Sequence, residues 1–196
     1  EAPRTRGWDV RRMAEMNAKL MAKLGYAKYG AQGGDWGAII SVQNALVDKP
    51  HCAGIHLNMV VAFPAEGMGA DAMKGLDADE IQGLGDLGNF QKDETGYQSI
   101  QGTKPQTLGY GLNDSPAGLA AWIVEKFRTW SDCGGDVETR FTKDELLTNV
   151  MIYWVTNSIT SSTRLYYETM KSGRFGPSTE RVEQPTAGAI FPKELY

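Results

Sequence analysis

A glycine-rich segment near the beginning of the chain constrains its fold more than any other feature. Residues 29–40 read Tyr-Gly-Ala-Gln-Gly-Gly-Asp-Trp-Gly-Ala-Ile-Ile, a strand-like run that breaks at glycines and continues as a helix-like run. Asp35 stands at the apex, with Gly33 two residues before it and Gly37 two residues after it. A nucleophile elbow has this pattern, because its sharp strand-to-helix turn excludes side chains near the apex. The segment therefore predicts an elbow that carries aspartate in place of serine.

An ordinary turn is the alternative, since Gly and Asp favour turns and acidic residues often begin helices. The preceding residues favour the elbow. Asp9 is followed by apolar residues at helical spacing up to Leu24, and Gly25 comes next, which predicts a capped amphipathic helix. An elbow requires this order of elements: a helix, a strand, a sharp turn and a second helix.

The chemistry of an elbow depends on the atom that attacks. Serine would form an ether with an alkyl electrophile, which water does not cleave, whereas a carboxylate forms an ester that an activated water hydrolyses. Asp35 therefore indicates attack on saturated carbon. The backbone N–H of Trp36 follows directly and is suited to one side of an oxyanion hole during ester hydrolysis.

Composition excludes several function classes. The chain has 196 residues, of which 41% are hydrophobic and 22% charged, so it can bury a sizeable core as one domain with an insertion. A net charge of -4 and the lack of a Lys/Arg run argue against nucleic-acid binding. Cys52 and Cys133 have no metal-ligand spacing and no partner pattern, which favours small buried or incidental residues and a reducing, cytoplasmic location. No apolar stretch is long enough to span a bilayer.

The pattern beyond the elbow predicts three segments. The helix after the elbow ends near Leu46, and residues 52–58 read as a short buried strand of the kind found in parallel sheets. From residue 64 onward helix signals dominate, and residues 182–191 are typical of a return to the sheet. The helix starts are marked by Asp77 with Glu80, Thr142 with Glu145, and Ser115-Pro116 at the start of a run to Trp130. We therefore expect an α/β fold with a core segment over 1–63, a helical insertion over 64–172 and a return to the core over 173–196.

Several separate segments, in the right order along almost the whole chain, closely resemble microsomal-type epoxide hydrolases. They begin at Gln32 (Gln-Gly-Gly-Asp-Trp-Gly), Glu94 (Glu-Thr-Gly-Tyr-Gln-Ser-Ile-Gln), Leu112 (Leu-Asn-Asp-Ser-Pro-Ala-Gly-Leu), Leu146 (Leu-Leu-Thr-Asn-Val-Met-Ile-Tyr-Trp), Ser161 (Ser-Ser-Thr-Arg-Leu-Tyr-Tyr-Glu) and Phe191 (Phe-Pro-Lys-Glu-Leu). The resemblance implies an α/β-hydrolase fold, with a partial and mostly parallel core sheet and an inserted helical cap.

The resemblance also implies roles for individual residues. Asp35 is similar to the family nucleophile, Tyr97 and Tyr166 to the two cap tyrosines that hold the epoxide oxygen, and Glu194 to the acid that orients the catalytic histidine. A phenol with a pKa of about 10 can protonate the leaving oxygen near neutral pH without being ionised itself. Tyr167 beside Tyr166 leaves open which of the two faces the site. The resemblance implies a small-molecule epoxide as substrate, a role in detoxification, and no metal or organic cofactor.

The histidine is where the chain departs from the family pattern. His51 and His56 are the two histidines, and both fall just before or inside the strand after the elbow helix. In this fold the base follows the acid, so we expect it after Tyr196, and we expect a His-Gly-type oxyanion loop before the elbow. His56 is expected to be a buried core or crevice residue.

Two other functions stay open at this point. A haloalkane-type dehalogenase also uses an Asp elbow followed by Trp, although a halide needs no acid and leaves the tyrosines unexplained. A non-catalytic hydrolase-like binding module would keep the pocket without the histidine. The chain could also form a homodimer, or associate with the remainder of a longer protein.

Overall fold

The computed structural model describes residues 3, 5–61, 74–176, 178, 180–192 and 194. Within them lie eight α-helices, three short strands and one 3-10 turn over Val137–Thr139. In chain order, the elements are α1 Val10–Lys23, β1 Tyr29–Gly33, α2 Trp36–Val47, β2 Cys52–Leu57, α3 Ala78–Asp93, α4 Gly96–Thr103, α5 Pro105–Asp114, α6 Pro116–Thr129, α7 Lys143–Thr156, α8 Ile159–Lys171 and β3 Thr186–Gly188.

The helix predicted before the elbow is confirmed as α1. Asp9 is its N-cap, with extended backbone and a carboxylate that accepts a hydrogen bond from the N–H of Arg12 at 2.9 Å. Gly25 follows the end of the helix with a φ of +82°, a conformation that glycine adopts without steric penalty. The sequence pattern therefore fixes both ends of this helix locally.

The three strands form one parallel sheet in the order β1-β2-β3. Helix α2 packs against both β1 and β2, and α1 packs against α2. The core of this region consists of the buried residues Tyr29, Ala38, Ala45, Cys52, Ile55 and Leu57. The strand predicted over residues 52–58 is confirmed, and its alternating burial places Ile55 and Leu57 towards the helices.

The return to the sheet is shorter than the ten residues predicted. Only Thr186–Gly188 form a strand, β3, and all three residues are exposed. Pro185 lacks an N–H and supplies only its carbonyl, to the N–H of Ile55. At the other end, the ladder stops because β2 ends at Leu57, whose carbonyl accepts from the N–H of Ala189.

The helical part of the chain begins its helices as the capping patterns predict. Thr142 and Glu145 form a complete capping box on α7. Asp77 and Glu80 exchange two hydrogen bonds of 2.9 Å before α3, and the Ser115 hydroxyl accepts from the N–H of Gly118 on α6. The core of these helices consists of Leu112, Leu119, Val150 and Ile159.

The chain divides into two compact units. One unit contains residues 82–167 and the other contains residues 5–81 and 168–192. The predicted start of the cap at residue 64 lies outside the described residues, so the three predicted segments stay predictions. Cys52 and Cys133 are both buried and free, as expected. Among the described helices, none has the length and hydropathy of a membrane span.

Candidate functional site

The sharp turn predicted at Asp35 is present between β1 and α2. Asp35 has a φ of +50° and a ψ of -128°, and among the described residues only Asn157 is another non-glycine with positive φ. This conformation is sparsely populated for an L-amino acid with a side chain, and strain of this kind concentrates at functional sites. The Asp35 side chain is exposed at the N-terminus of α2.

The turn brings the backbone at Gly33 against the first turn of α2. A Cβ atom at Gly33 would lie 2.2 Å from the carbonyl carbon and oxygen of Gly37, so no side chain fits there. A Cβ atom at Gly37 would meet no heavy atom of the described chain within 4 Å. The prediction that a small residue is required is therefore confirmed at Gly33, whereas the structure leaves room at Gly37.

The backbone N–H of Trp36 is directed at the Asp35 carboxylate. It donates a hydrogen bond to Oδ1 of Asp35 at 2.5 Å. The Trp36 ring packs at a tilt against the ring of Phe175, with 5.7 Å between the centroids. The arrangement can hold one carboxylate oxygen on a backbone donor, which is what an oxyanion site requires.

The structure brings the two predicted tyrosines together in the unit of residues 82–167. The rings of Tyr97 on α4 and Tyr166 on α8 meet edge to face, with 5.8 Å between their centroids and 80° between their planes. Both residues are half-buried. The amide of Gln98 donates to the hydroxyl oxygen of Tyr97 at 2.9 Å.

A charged cluster next to Tyr97 was not predicted. Oε2 of Glu94 accepts hydrogen bonds from Nζ of Lys126 and from Nε1 of Trp130, each at 2.9 Å. Burial alone would raise the pKa of Glu94, but these bonds outweigh it and lower the pKa. Glu94 is three residues before Tyr97, and Lys126 and Trp130 are four apart on one helix face, a spacing that could have suggested the cluster.

Glu194, the predicted acid, follows β3 near the end of the chain and is exposed. His56, expected to be buried, is exposed instead, and this expectation was wrong. The reason is the pleat of β2, because α2 packs on the face that carries Ile55 and Leu57 and leaves the alternate residue His56 on the other face.

His51 lies at the far end of the sheet from Asp35. His51 precedes β2, whereas Asp35 follows the end of the parallel strand β1. The two residues are therefore separated along the strand direction by roughly 15 Å, the length of a strand. Nδ1 of His51 is 2.6 Å from Oδ1 of Asp48, and Oδ2 of Asp48 accepts from the hydroxyl of Tyr29 at 2.9 Å. Burial, followed by the Asp48 carboxylate, raises the pKa of Tyr29. His51 is therefore part of a separate polar group.

Within the described residues, no three His, Cys, Asp or Glu side chains are grouped as a metal ion would need.

The chain is similar in sequence to proteins named as epoxide hydrolases. It is 40% identical over 196 residues to a "Putative epoxide hydrolase" of Stigmatella aurantiaca, an alignment that covers 100% of the chain and 43% of that protein. It is 37% identical over 220 aligned residues to epoxide hydrolase 1 of Oryctolagus cuniculus, covering 100% of the chain and 47% of that protein. No family model matches the chain.

The structure is similar to that of the juvenile hormone epoxide hydrolase of the silkworm Bombyx mori. The TM-score is 0.78 at 37% sequence identity, and the match covers 100% of the chain and 44% of the silkworm chain. Other solved structures that match are likewise named as epoxide or α/β hydrolases. The predicted fold class, an α/β-hydrolase fold, is therefore confirmed. The chain spans somewhat less than half the length of the relatives that it matches.

Proposed function

This chain belongs to the epoxide hydrolase family, and from that premise we propose that the protein hydrolyses an apolar epoxide to a vicinal diol. The proposal concerns the full-length protein, since the chain spans less than half the length of its relatives. The observation that carries it is the strained turn at Asp35, with its carboxylate on the N–H of Trp36. Half-buried aromatic rings around Tyr97, including Trp130 and Tyr166, support an apolar substrate.

In the first step, one oxygen of Asp35 attacks a ring carbon of the epoxide. Oδ1 already accepts a hydrogen bond from Trp36, so Oδ2 is the oxygen that we assign to the attack. The bond between Oδ2 and carbon forms as the carbon–oxygen bond of the ring breaks, and an alkyl ester results. Strain at position 35 supports the assignment, because it fixes the carboxylate at the turn instead of allowing it to adopt a relaxed helix cap.

The departing oxygen needs a proton, because a free alkoxide is a poor leaving group. We assign the proton donation to Tyr97 and Tyr166, whose rings are in contact. We assign the first proton transfer to the phenolic hydroxyl of Tyr97, whose oxygen accepts a hydrogen bond from the side-chain amide of Gln98. The same bond stabilises the negative charge that develops on the phenol oxygen during proton transfer.

In the second step, water attacks the carbonyl carbon of the ester. The carbonyl oxygen is then the former Oδ1, which the N–H of Trp36 stabilises as an oxyanion. We assign the activation of water to a histidine oriented by Glu194, and we expect that histidine after Glu194 in the full-length protein, as the family resemblance implies. As the tetrahedral intermediate collapses, the ester carbon–oxygen bond breaks and the histidine returns its proton to the departing diol oxygen. The second proton of the water leaves the new carboxyl group and restores the phenol, so the carboxylate is regenerated.

The test is Asp35→Asn in the full-length protein, with styrene oxide as substrate. Asparagine tolerates positive φ and keeps the shape of the side chain, but it cannot attack as a carboxylate. We expect diol formation to fall below about one thousandth of the wild-type rate, as for the loss of other nucleophiles. Rapid quenching and mass measurement of the intact protein should find the added mass of the ester in the wild type and not in the variant.

Asp114→Asn is the matched control, because this aspartate is exposed at the end of α5. It should keep wild-type turnover. Diol formation at the wild-type rate by Asp35→Asn, or an ester found on another residue, would remove the nucleophile assignment. Turnover of a haloalkane in preference to the epoxide would contradict the proposed substrate class.

A further inference from the structure

We propose that Glu94, Lys126 and Trp130 together act as a positioning group that holds Tyr97 in place as a proton donor. We refer to these three residues as the Glu94 clamp. The inference rests on the proposed function, since it assumes that Tyr97 protonates the leaving oxygen. None of the three residues needs to touch the substrate, and their effect on catalysis would pass through Tyr97.

The clamp is held together by one carboxylate oxygen. Oε2 of Glu94 accepts from Nζ of Lys126 and Nε1 of Trp130 at 2.9 Å, and from the hydroxyl of Thr129 at 3.4 Å. The side chains of Glu94 and Lys126 are 24% and 20% exposed, so the pair is partly shielded from water. Burial alone would lower the pKa of Lys126, but bonds to Glu94 and Glu125 outweigh it and raise the pKa, so both partners are charged at neutral pH.

Two groups of the clamp contact the ring of Tyr97. The ammonium of Lys126 lies 5.3 Å from the centroid of the Tyr97 ring and 5.1 Å from that of the Trp130 ring. Both distances are within the range of about 6 Å in which a cation is attracted to an aromatic face. The Trp130 ring itself contacts Tyr97 edge to face, with 5.3 Å between the centroids. Together with the contact to Tyr166, these interactions leave the Tyr97 ring little freedom to tilt.

The local sequence explains why Tyr97 needs support from outside its own helix. Tyr97 is the second residue of α4, a helix of only eight residues. Its N-cap, Thr95, makes no side-chain hydrogen bond to the helix, and the first turn has no acidic residue. A short helix without these features has a poorly fixed start. Glu94, in the link between α3 and α4, instead ties that start to Lys126 and Trp130 at the end of α6.

A proton donor that shifts by 1 Å can lose about 100-fold in rate, so a positioning group is expected to matter for the step that it serves. That step is the opening of the epoxide, and ester hydrolysis does not use the phenol. If the group were merely structural, its loss would reduce the amount of folded protein and would therefore lower the observed activity in both steps together.

The experiment compares Glu94→Gln with Glu125→Gln in the full-length protein. Both changes remove one carboxylate that binds Lys126, but Glu125 is 52% exposed, and the Nε1 donor of Trp130 binds Glu94 instead of Glu125. With styrene oxide in single turnovers, Glu94→Gln should slow ester formation about tenfold and leave ester hydrolysis unchanged. Glu125→Gln should change neither rate by more than about twofold, as expected for an exposed pair.

A double-mutant cycle with Tyr97→Phe separates positioning from general damage. If the clamp acts through Tyr97, Glu94→Gln should have almost no further effect on ester formation once the phenol is gone. An equal tenfold loss in both backgrounds would overturn the inference, and so would a wild-type rate for Glu94→Gln. Thermal unfolding checks that each variant is folded. If Glu94→Gln fails to fold, Trp130→Phe replaces it, because this change keeps an aromatic ring at the position and removes the Nε1 donor.

The cycle also separates this inference from the proposed function. If Tyr97→Phe forms the ester at the wild-type rate, the acid role of Tyr97 is wrong. If Tyr97→Phe is slow and Glu94→Gln is not, the acid role holds and only the clamp is wrong.

Discussion

At the scale of single residues, Gly33 is the position where the turn at Asp35 leaves least space. Its Cβ would lie 2.2 Å from backbone atoms of Gly37, and a backbone cannot move aside as a side chain can. We expect Gly33→Ala to destabilise the protein by at least about 3 kcal/mol, the upper part of the range for overpacking. Denaturant unfolding and soluble yield measure this effect.

Gly37→Ala tests whether the effect at Gly33 is steric. Gly37 is the second residue of α2, and the described chain places no heavy atom within 4 Å of its added Cβ. Alanine is also the better helix former by about 1 kcal/mol. We therefore expect unchanged or slightly higher stability, and an equal loss for both variants would mean that the close approach at Gly33 is not the cause.

The sequence alone was sufficient to predict the turn at Asp35, but not the contacts between residues that lie far apart in the chain. Asp35 and its glycines are adjacent in sequence, so the strand-to-helix turn follows from local backbone sterics. The contact between Glu94 and Trp130 joins residues 36 apart, and its formation depends on how α6 packs, which a local pattern does not contain. The burial expected for His56 failed for a related reason, since the face of a strand that helices cover is decided by packing.

At the scale of elements, α5 and α8 approach each other at Gly109. A Cβ at Gly109 would lie 2.3 Å from Oγ1 and 2.9 Å from Cβ of Thr160, so the clash involves more than a movable side-chain tip. Asn113, one turn later on α5, donates to the Thr160 hydroxyl at 2.6 Å. We expect Gly109→Ala to push the helices apart, break this bond and lower the free energy of unfolding by about 2–3 kcal/mol.

Gly111 provides the control on the same helix. Gly111 is exposed, and no heavy atom of the described residues lies within 4 Å of a Cβ atom added to it. Gly111→Ala should stabilise the protein by up to about 1 kcal/mol through helix propensity alone. Denaturant midpoints of the two variants give the comparison, and a stabilised Gly109→Ala would contradict the close approach of Gly109 to Thr160.

The helix boundaries were predictable where a short-range cap defines them. The capping boxes at Thr142 and Asp77 lie within four residues of sequence, and each forms as predicted. The strand β3 was predicted too long because its extent depends on β2, a partner more than a hundred residues earlier in the chain. Sheet pairing of this kind is non-local, so apolar composition locates the segment without fixing its ends.

At the scale of the whole molecule, the unit that carries Asp35 is assembled from two distant parts of the chain. Residues 5–81 and 168–192 are joined by the pairing of β2 with β3 and by a hydrogen bond from Gln184 to the carbonyl of Ala45. A return of the chain to the sheet was predicted from the sequence pattern, whereas the hydrogen bond from Gln184 was not. The cap boundaries, a cytoplasmic location and a homodimer stay predictions.

The ion pair between Asp9 and Arg174 is a third link between these two parts. Nη1 of Arg174 lies 2.6 Å from Oδ2 of Asp9, whose side chain is 8% exposed. Burial alone would raise the pKa of Asp9. Hydrogen bonds from the backbone N–H of Arg12 and from the side chains of Ser172 and Arg174, together with the charge of Arg174, outweigh burial and lower the pKa. A carboxylate with a lowered pKa in the folded state stabilises the protein above about pH 4, the unfolded value, and loses that contribution as the pH falls through the folded value.

Asp9→Asn should therefore destabilise the full-length protein in a pH-dependent way. Asparagine still caps α1, so the loss reflects the charge, and we expect about 1.5 kcal/mol at pH 7 because Arg174 is 42% exposed and partly screened. The difference from the wild type should shrink as the pH is lowered from about 5 towards 2, where the wild-type carboxylate also becomes neutral. Urea midpoints across this range measure the difference in stability.

Glu15→Gln is the control. This variant removes the exposed i,i+4 pair with Arg11 and should lose no more than about 0.5 kcal/mol at any pH. A deficit of Asp9→Asn that is the same at low and neutral pH would mean that the capping geometry, and not the ion pair across the insertion, supplies the stability.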